Sequence, residues 1–219
     1  MDLRPQCPPI YDQGQLGSCT ANAIAGALQF DEIKEKQPQV FTPSRLFIYY
    51  NERVIEHTVN TDSGAQIRDG IKTIAAQGDC PENLWPYHIT EFAVKPPQKC
   101  YDQALKFKAI QYQRLTQITN QMKGCLASGY PFVFGFTVYE SFESPQVAKT
   151  GHAPMPAPSE KVIGGHAVVA VGYNDSQSWF IVRNSWGPSW GMNGYFTLPY
   201  TYLLDNNLSN DFWTIRVVS

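Results

Sequence analysis

A chain of 219 residues, 43% hydrophobic and 13% aromatic, is long enough for one domain or two small ones with a substantial core. Its formal charge of -2 provides no basic field for nucleic acid or an anionic membrane, and no run of like charge forms an interaction tail. No stretch of about 18 consecutive apolar residues argues for a transmembrane helix, and the opening MDLRPQCPPIYDQG lacks the charged and apolar regions of a signal peptide.

In chain order, SCTANAIAGALQFDEIKEK predicts a helix from near Ser18 to about Lys36, because small and apolar residues recur without a breaker until Pro38. Such a helix should be largely buried. TPSRLFIYYNERVIEH predicts a second helix with Thr42 as N-cap and Pro43 in the first turn, and SGAQIRDGIKTIAAQG a third closed by Gly78. CPENLWPYHITEFAVKPPQKC is proline-rich and irregular. Beyond it, β-branched and aromatic residues dominate YPFVFGFTVY, GHAVVAVGYN, SWFIVRNSW and GYFTLP, which read as strands, with a helix near Gln117 to Ala127. The segment Glu143 to Gly164, with prolines at 145, 154, 156 and 158, reads as a surface loop. Residues 1–105 thus form a mainly helical half and residues 106–219 a mainly β half, with the boundary between Tyr101 and Gln111.

The five cysteines are an odd number, so at least one stays a thiol after any intramolecular pairing. They include no C-x-x-C pair and no nearby histidine ligand set, which argues against a zinc site. Cys19 falls in the first turn of its helix, where unpaired N–H groups and the helix dipole favour an anion and lower a thiol's pKa. A thiolate nucleophile still needs a partner that takes and returns a proton. Of the four histidines, His57, His88 and His152 lie in polar or irregular surroundings, whereas His166 opens the strand pattern GHAVVAVGYN behind Gly164 and Gly165. Asn184 ends the next strand in FIVRNSWG, a separation that suits two antiparallel strands joined by the turn YNDSQSW. Adjacent strand ends would set the Asn184 amide oxygen beside the His166 ring and Trp186 over that bond. Taken singly, a cysteine before an apolar helix and a histidine heading a strand are ordinary packing residues.

Together, QGQLGSC, GHAVVAVGY and NSWGPSWGMNGYF, in that order, resemble the papain family of cysteine peptidases over nearly the whole chain. The resemblance implies an α+β, papain-like fold of two lobes, one mainly helical and one β-barrel-like, with Cys19 and His166 facing each other across an active-site cleft. It implies Cys19 as nucleophile, His166 as base and then acid, and Asn184 as orienter of the imidazole. Gln13 and the Cys19 backbone N–H would be the oxyanion donors. A resting thiolate–imidazolium pair and a bell-shaped pH dependence follow from the same likeness. Trp186 and Trp190 match the family's two tryptophans beside the site, the first supporting and the second lining it for substrate. Gly64 resembles the glycine that offers backbone hydrogen bonds to an extended peptide.

The implied reaction is peptide-bond hydrolysis through a Cys19 thioester, with an endopeptidase as the main reading. An inactive peptide-binding relative and a transpeptidase are the alternatives. No metal or cofactor is implied. The implied partners are a peptide or protein substrate and a propeptide or protein inhibitor, with no nucleic acid and no membrane; a secreted or lysosome-like compartment is favoured by family analogy alone. Leu16 and Thr20 depart from the family pattern, standing where it usually has a cysteine and an aromatic residue. The disulfide usually anchored there is therefore absent, and Cys80 with Cys100 is either a substitute bond or two reduced buried thiols.

Overall fold

The computed structural model describes residues 1–107 and 111–216. It is an α+β architecture that divides into two compact units. The expected boundary between Tyr101 and Gln111 takes in residues 108–110, which lie outside the described residues.

The helical unit comprises Gln6–Pro8, Gln13–Gln113 and Ile215–Ser219. Its helices are α1 (Cys19–Lys34), α2 (Arg45–Glu56), α3 (Ile67–Gln77) and α4 (Gln98–Ala104). Helix α1 is buried from Thr20 to Glu32. The small residues Ala21, Ala23, Ala25, Gly26 and Ala27 let neighbouring elements close on it from every side, as expected for a helix without a wide polar face. Helix α3 buries Ile67, Ile71 and Ile74, whose spacing places all three on one face, together with Asp69, Gly70 and Thr73, and it ends at Gly78 with φ 74°.

The cap of α2 is Ser44, not Thr42. Ser44 has the extended backbone that lets a short hydroxyl turn back on the helix, and its Oγ accepts the Phe47 N–H at 3.2 Å while donating to the Trp85 carbonyl at 2.8 Å. Thr42 and Pro43 lie outside the helix. Helix α4 was hidden in the irregular stretch: extended Pro97 directly precedes its first turn, so the prolines that mark a loop also start a helix.

The β unit comprises Met1–Pro5, Pro9–Asp12 and Arg114–Thr214. Strands β2 (Phe132–Tyr139), β3 (Val162–Asn174), β4 (Trp179–Arg183) and β5 (Tyr195–Pro199) lie wholly within this unit, while β1 (Gln111–Arg114) and β6 (Ser209–Arg216) run past its ends; the sheet order is β1-β6-β2-β3-β4-β5. Neighbouring pairs from β6 to β5 are antiparallel. The N-terminal residues pair with β3, through Leu3 N–H to Val171 O at 2.8 Å and Tyr173 N–H to Met1 O at 2.9 Å. The helices are α5 (Thr119–Ala127), α6 (Pro145–Thr150) and α7 (Tyr200–Leu204).

The segment Glu143 to Gly164 is not a loop throughout. Ser144 caps α6 by accepting the Val147 N–H at 3.3 Å with Pro145 in the first turn, and β3 already begins at Val162. His166 is therefore an interior residue of β3, opposite Phe136 of β2, and not the head of the strand. The strand start was unreadable because Val162 to Gly165 are all exposed, which erases the alternation of a half-buried strand.

Candidate active site

In the β unit, His166 Nε2 lies 2.7 Å from Asn184 Oδ1, and the same oxygen accepts the Ser185 N–H at 2.8 Å. A backbone N–H only donates, so the Asn184 atom between them is the amide oxygen, and Nε2 must carry the proton of the neutral ring. Nδ1 is then the nitrogen with the lone pair. The antiparallel pairing of β3 with β4 places Asn184 immediately past Arg183, and Asn184 N–H to Gly194 O at 2.9 Å fixes its backbone.

Aromatic rings enclose this pair. Trp186 stacks on the His166 ring with centroids 4.9 Å apart and planes at 27°, and Phe136 meets the ring edge-on at 5.8 Å. Trp190 stands edge-on to Trp186 at 5.2 Å, and Phe142 packs on Trp186 and Trp190 at 5.6 and 5.7 Å. This apolar enclosure strips water from the imidazole: burial pulls its pKa from 6.5 down to about 4, while the Asn184 bond works in the opposite direction. The other histidines have different settings. His57 closes α2 in a left-handed conformation, His88 is exposed, and His152 bonds Thr197 Oγ1 at 3.0 Å and stacks on Trp179.

In the helical unit, Cys19 is the first residue of α1 and half-buried, with Ser18 as the cap residue. Gln13, nearly buried, turns its amide Nε2 onto Leu16 O at 3.0 Å, so the segment Gln13 to Leu16 curls back on itself just before Cys19. Tyr87 ties Gln13 to Ser18, since its hydroxyl donates to Gln13 O at 3.0 Å and meets Ser18 Oγ at 2.5 Å. Asn22 donates to Ser18 Oγ and Ser18 O at 3.0 and 2.9 Å and accepts from Arg45 at 3.2 Å. Arg45 pairs with Glu82 at 2.7 Å and covers the Tyr87 ring at 3.9 Å. The result is a continuous polar scaffold under residues 13 to 22.

Two further groups brace the same unit. Thr20, next to Cys19, donates to Glu52 Oε1 at 2.6 Å, and burial pushes the Glu52 carboxyl well above the usual range. Arg53, fully buried, donates to the carbonyls of Tyr49 at 3.0 Å, Val59 at 2.9 Å, Thr61 at 3.0 Å and Phe92. It thereby fastens the segment leading to Gly64, which has φ 72° and gives its N–H to Tyr49 Oη at 3.3 Å.

The family model for papain family cysteine proteases matches residues 1–206. The chain belongs to that family. The papain-family protein is 47% identical to xylellain, a cysteine protease from Xylella fastidiosa, with a TM-score of 0.94 over 100% of this chain and 85% of that one. It is 52% identical to a peptidase C1-like protein of Acanthamoeba polyphaga mimivirus, over 98% of this chain and 72% of that protein. A cathepsin B-like protein of Giardia intestinalis, CP3, is 27% identical over 89% of this chain, which spans 65% of that relative's length. The protein is thus a cysteine-type peptidase of the papain family.

Both departures from the family pattern have a structural sequel in this papain-family chain. Thr20 replaces ring packing with a polar tie between α1 and α2 through Glu52. Cys80 and Cys100 are thiols, both fully buried against Phe47 and Ala104, and burial pushes both above the usual thiol range. Tyr87, Arg53, Glu52 and Phe142 carry no signal of these contacts in the local sequence. Each joins residues distant along the chain.

Proposed function

We propose that the protein is an endopeptidase that cleaves peptide bonds through a thioester on Cys19. The Cys19 Sγ attacks the scissile carbonyl carbon as His166 Nδ1 takes the thiol proton, forming the new C–S bond and an oxyanion. Gln13 and the Cys19 N–H donate to that oxyanion. The imidazolium, held by Asn184, gives its proton to the leaving amine as the C–N bond breaks. A water then attacks the thioester with His166 again as base, releasing the acid and restoring the thiol. The backbone of Gly64 offers hydrogen bonds to an extended substrate, and Trp190 is a further substrate-binding side chain. A propeptide or protein inhibitor would occupy the same surface as substrate.

One observation carries this reading: the doubly bonded Asn184 Oδ1 leaves Nδ1 of a water-shielded imidazole as the basic nitrogen. Peptides blocked at both ends provide the test. Cleavage within them by the wild type, read by product mass, is the expected result; removal of terminal residues alone from unblocked peptides would contradict the endopeptidase reading. Gln13→Ala is expected to lower kcat about 100-fold or more while leaving KM nearly unchanged, the pattern of an interaction made only in the transition state.

A further inference from the structure

Asp62 lies in the loop between α2 and α3, two residues before Gly64. Its carboxylate accepts the Gly17 N–H with both oxygens, at 3.0 Å to Oδ1 and 3.1 Å to Oδ2. Oδ1 also accepts the Tyr49 hydroxyl, and Tyr49 Oη in turn accepts the Gly64 N–H at 3.3 Å. Gly17 stands two residues before Cys19, so a single carboxylate and a single phenol join the turn that presents the nucleophile to the segment that carries Gly64. The two backbones lie against each other here. A Cβ on Gly17 would come within 2.9 Å of Asp62 Oδ1 and 3.4 Å of Gly64 N, while one on Gly64 would stand 3.7 Å from Gly17 O. Only an unsubstituted residue at 17 lets the carboxylate reach the main chain this closely.

The supports of this clasp are rigid. Tyr49 is fully buried on α2, and burial, followed by the Asp62 bond, pushes its hydroxyl well above the usual phenol range, so it remains a proton donor. Arg53, one turn further along α2, holds the carbonyls of Val59 and Thr61, and Glu56 accepts the Gln66 N–H at 2.7 Å. The loop is thus pinned to α2 on both sides of Asp62.

We infer that Asp62, acting through Tyr49, is a positioning residue for the reaction: it fixes the Gly64 segment in register with Cys19, so that a peptide lying along that segment presents its scissile carbonyl to the thiol. This inference rests on the peptidase reading above. An extended substrate gains from the fixed register in proportion to how much of its acyl side pairs with the segment, whereas a small reagent that meets only the thiol gains nothing.

The test compares the full-length wild type with Asp62→Ala, Asp62→Asn, Tyr49→Phe and Cys19→Ala. Amide exchange at Gly17 and Gly64 is expected to accelerate together in Asp62→Ala and in Tyr49→Phe. For a peptide with a long acyl side, kcat/KM is expected to fall about tenfold or more in both, while the rate of Cys19 alkylation by iodoacetamide changes less than about twofold. Asp62→Asn, which keeps one acceptor and the side-chain volume, is expected to fall between and serves if the alanine protein does not fold. Equal losses toward peptide and iodoacetamide would reduce Asp62 to a structural brace and overturn the inference, as would unchanged peptide kinetics in an active enzyme. A wild type no more active than Cys19→Ala would instead overturn the peptidase reading, and this inference with it.

Discussion

Cys19→Ala is expected to lower kcat for peptide hydrolysis by roughly 10⁵-fold or more, leaving only what binding and oxyanion donors supply without a nucleophile. The protein should remain folded. Cys19 is half-buried at the very start of α1, while the helix is anchored by the buried run from Thr20 to Glu32, so truncating one thiol at its end removes little packed surface. The measurement pairs steady-state hydrolysis with thermal unfolding. Loss of activity with an unchanged melting temperature is the expected pair of results, and retained activity would remove Cys19 from the mechanism. Adding His166→Ala to the Cys19→Ala protein should cost little more, because nucleophile and base act as one unit and their effects do not add.

The second large effect concerns His166 and pH. Its imidazole titrates near 6.5 in an unfolded chain and is pulled down to about 4 by burial in the folded one. Between those values the unfolded chain takes up a proton that the folded protein refuses, so stability from this group is full above 6.5 and is lost as pH falls toward 4. From pH 7 to pH 5 the loss is about 2 kcal/mol. Urea unfolding of Cys19→Ser and of Cys19→Ser with His166→Gln isolates it, since the serine background removes any thiolate. The double variant should lack that share of the acid destabilisation. Glu52 and Asp79, whose carboxyls burial raises, act in the opposite direction, but they are common to both proteins and cancel in the comparison.

The places of the candidate site residues in the fold were legible where the local pattern marks the start of a helix or the end of a strand. Cys19 was readable because a run of small residues announces a buried helix whose start is the thiol, and His166 with Asn184 because the spacing puts Asn184 just past the end of the strand that pairs with the one carrying His166. Short capped elements were not. Ser44 displaced Thr42 because the cap is chosen by which hydroxyl can reach the third helical N–H, and Pro97 and Pro145 precede or open helices where proline density suggested loops. Strand β6 begins Ser-Asn-Asp with Asp211 at φ 57°, a polar and irregular start without alternation. The bracing groups were the least visible of all. Asp62 meets Gly17 across 45 positions, and Ser18 meets Tyr87 across 69, so their partners follow from the fold and from nothing local in the chain.

The central claim, that Cys19 is activated by His166 within a site that accepts peptides, is tested most directly by covalent labelling. The reduced, folded protein and its His166→Ala variant are exposed to a peptidyl epoxide and analysed by intact mass and peptide mapping. A single adduct on Cys19 in the wild type, absent or strongly slowed in His166→Ala, is the predicted result. No adduct on the folded wild type, or labelling of Cys19 at the same rate without His166, would contradict it.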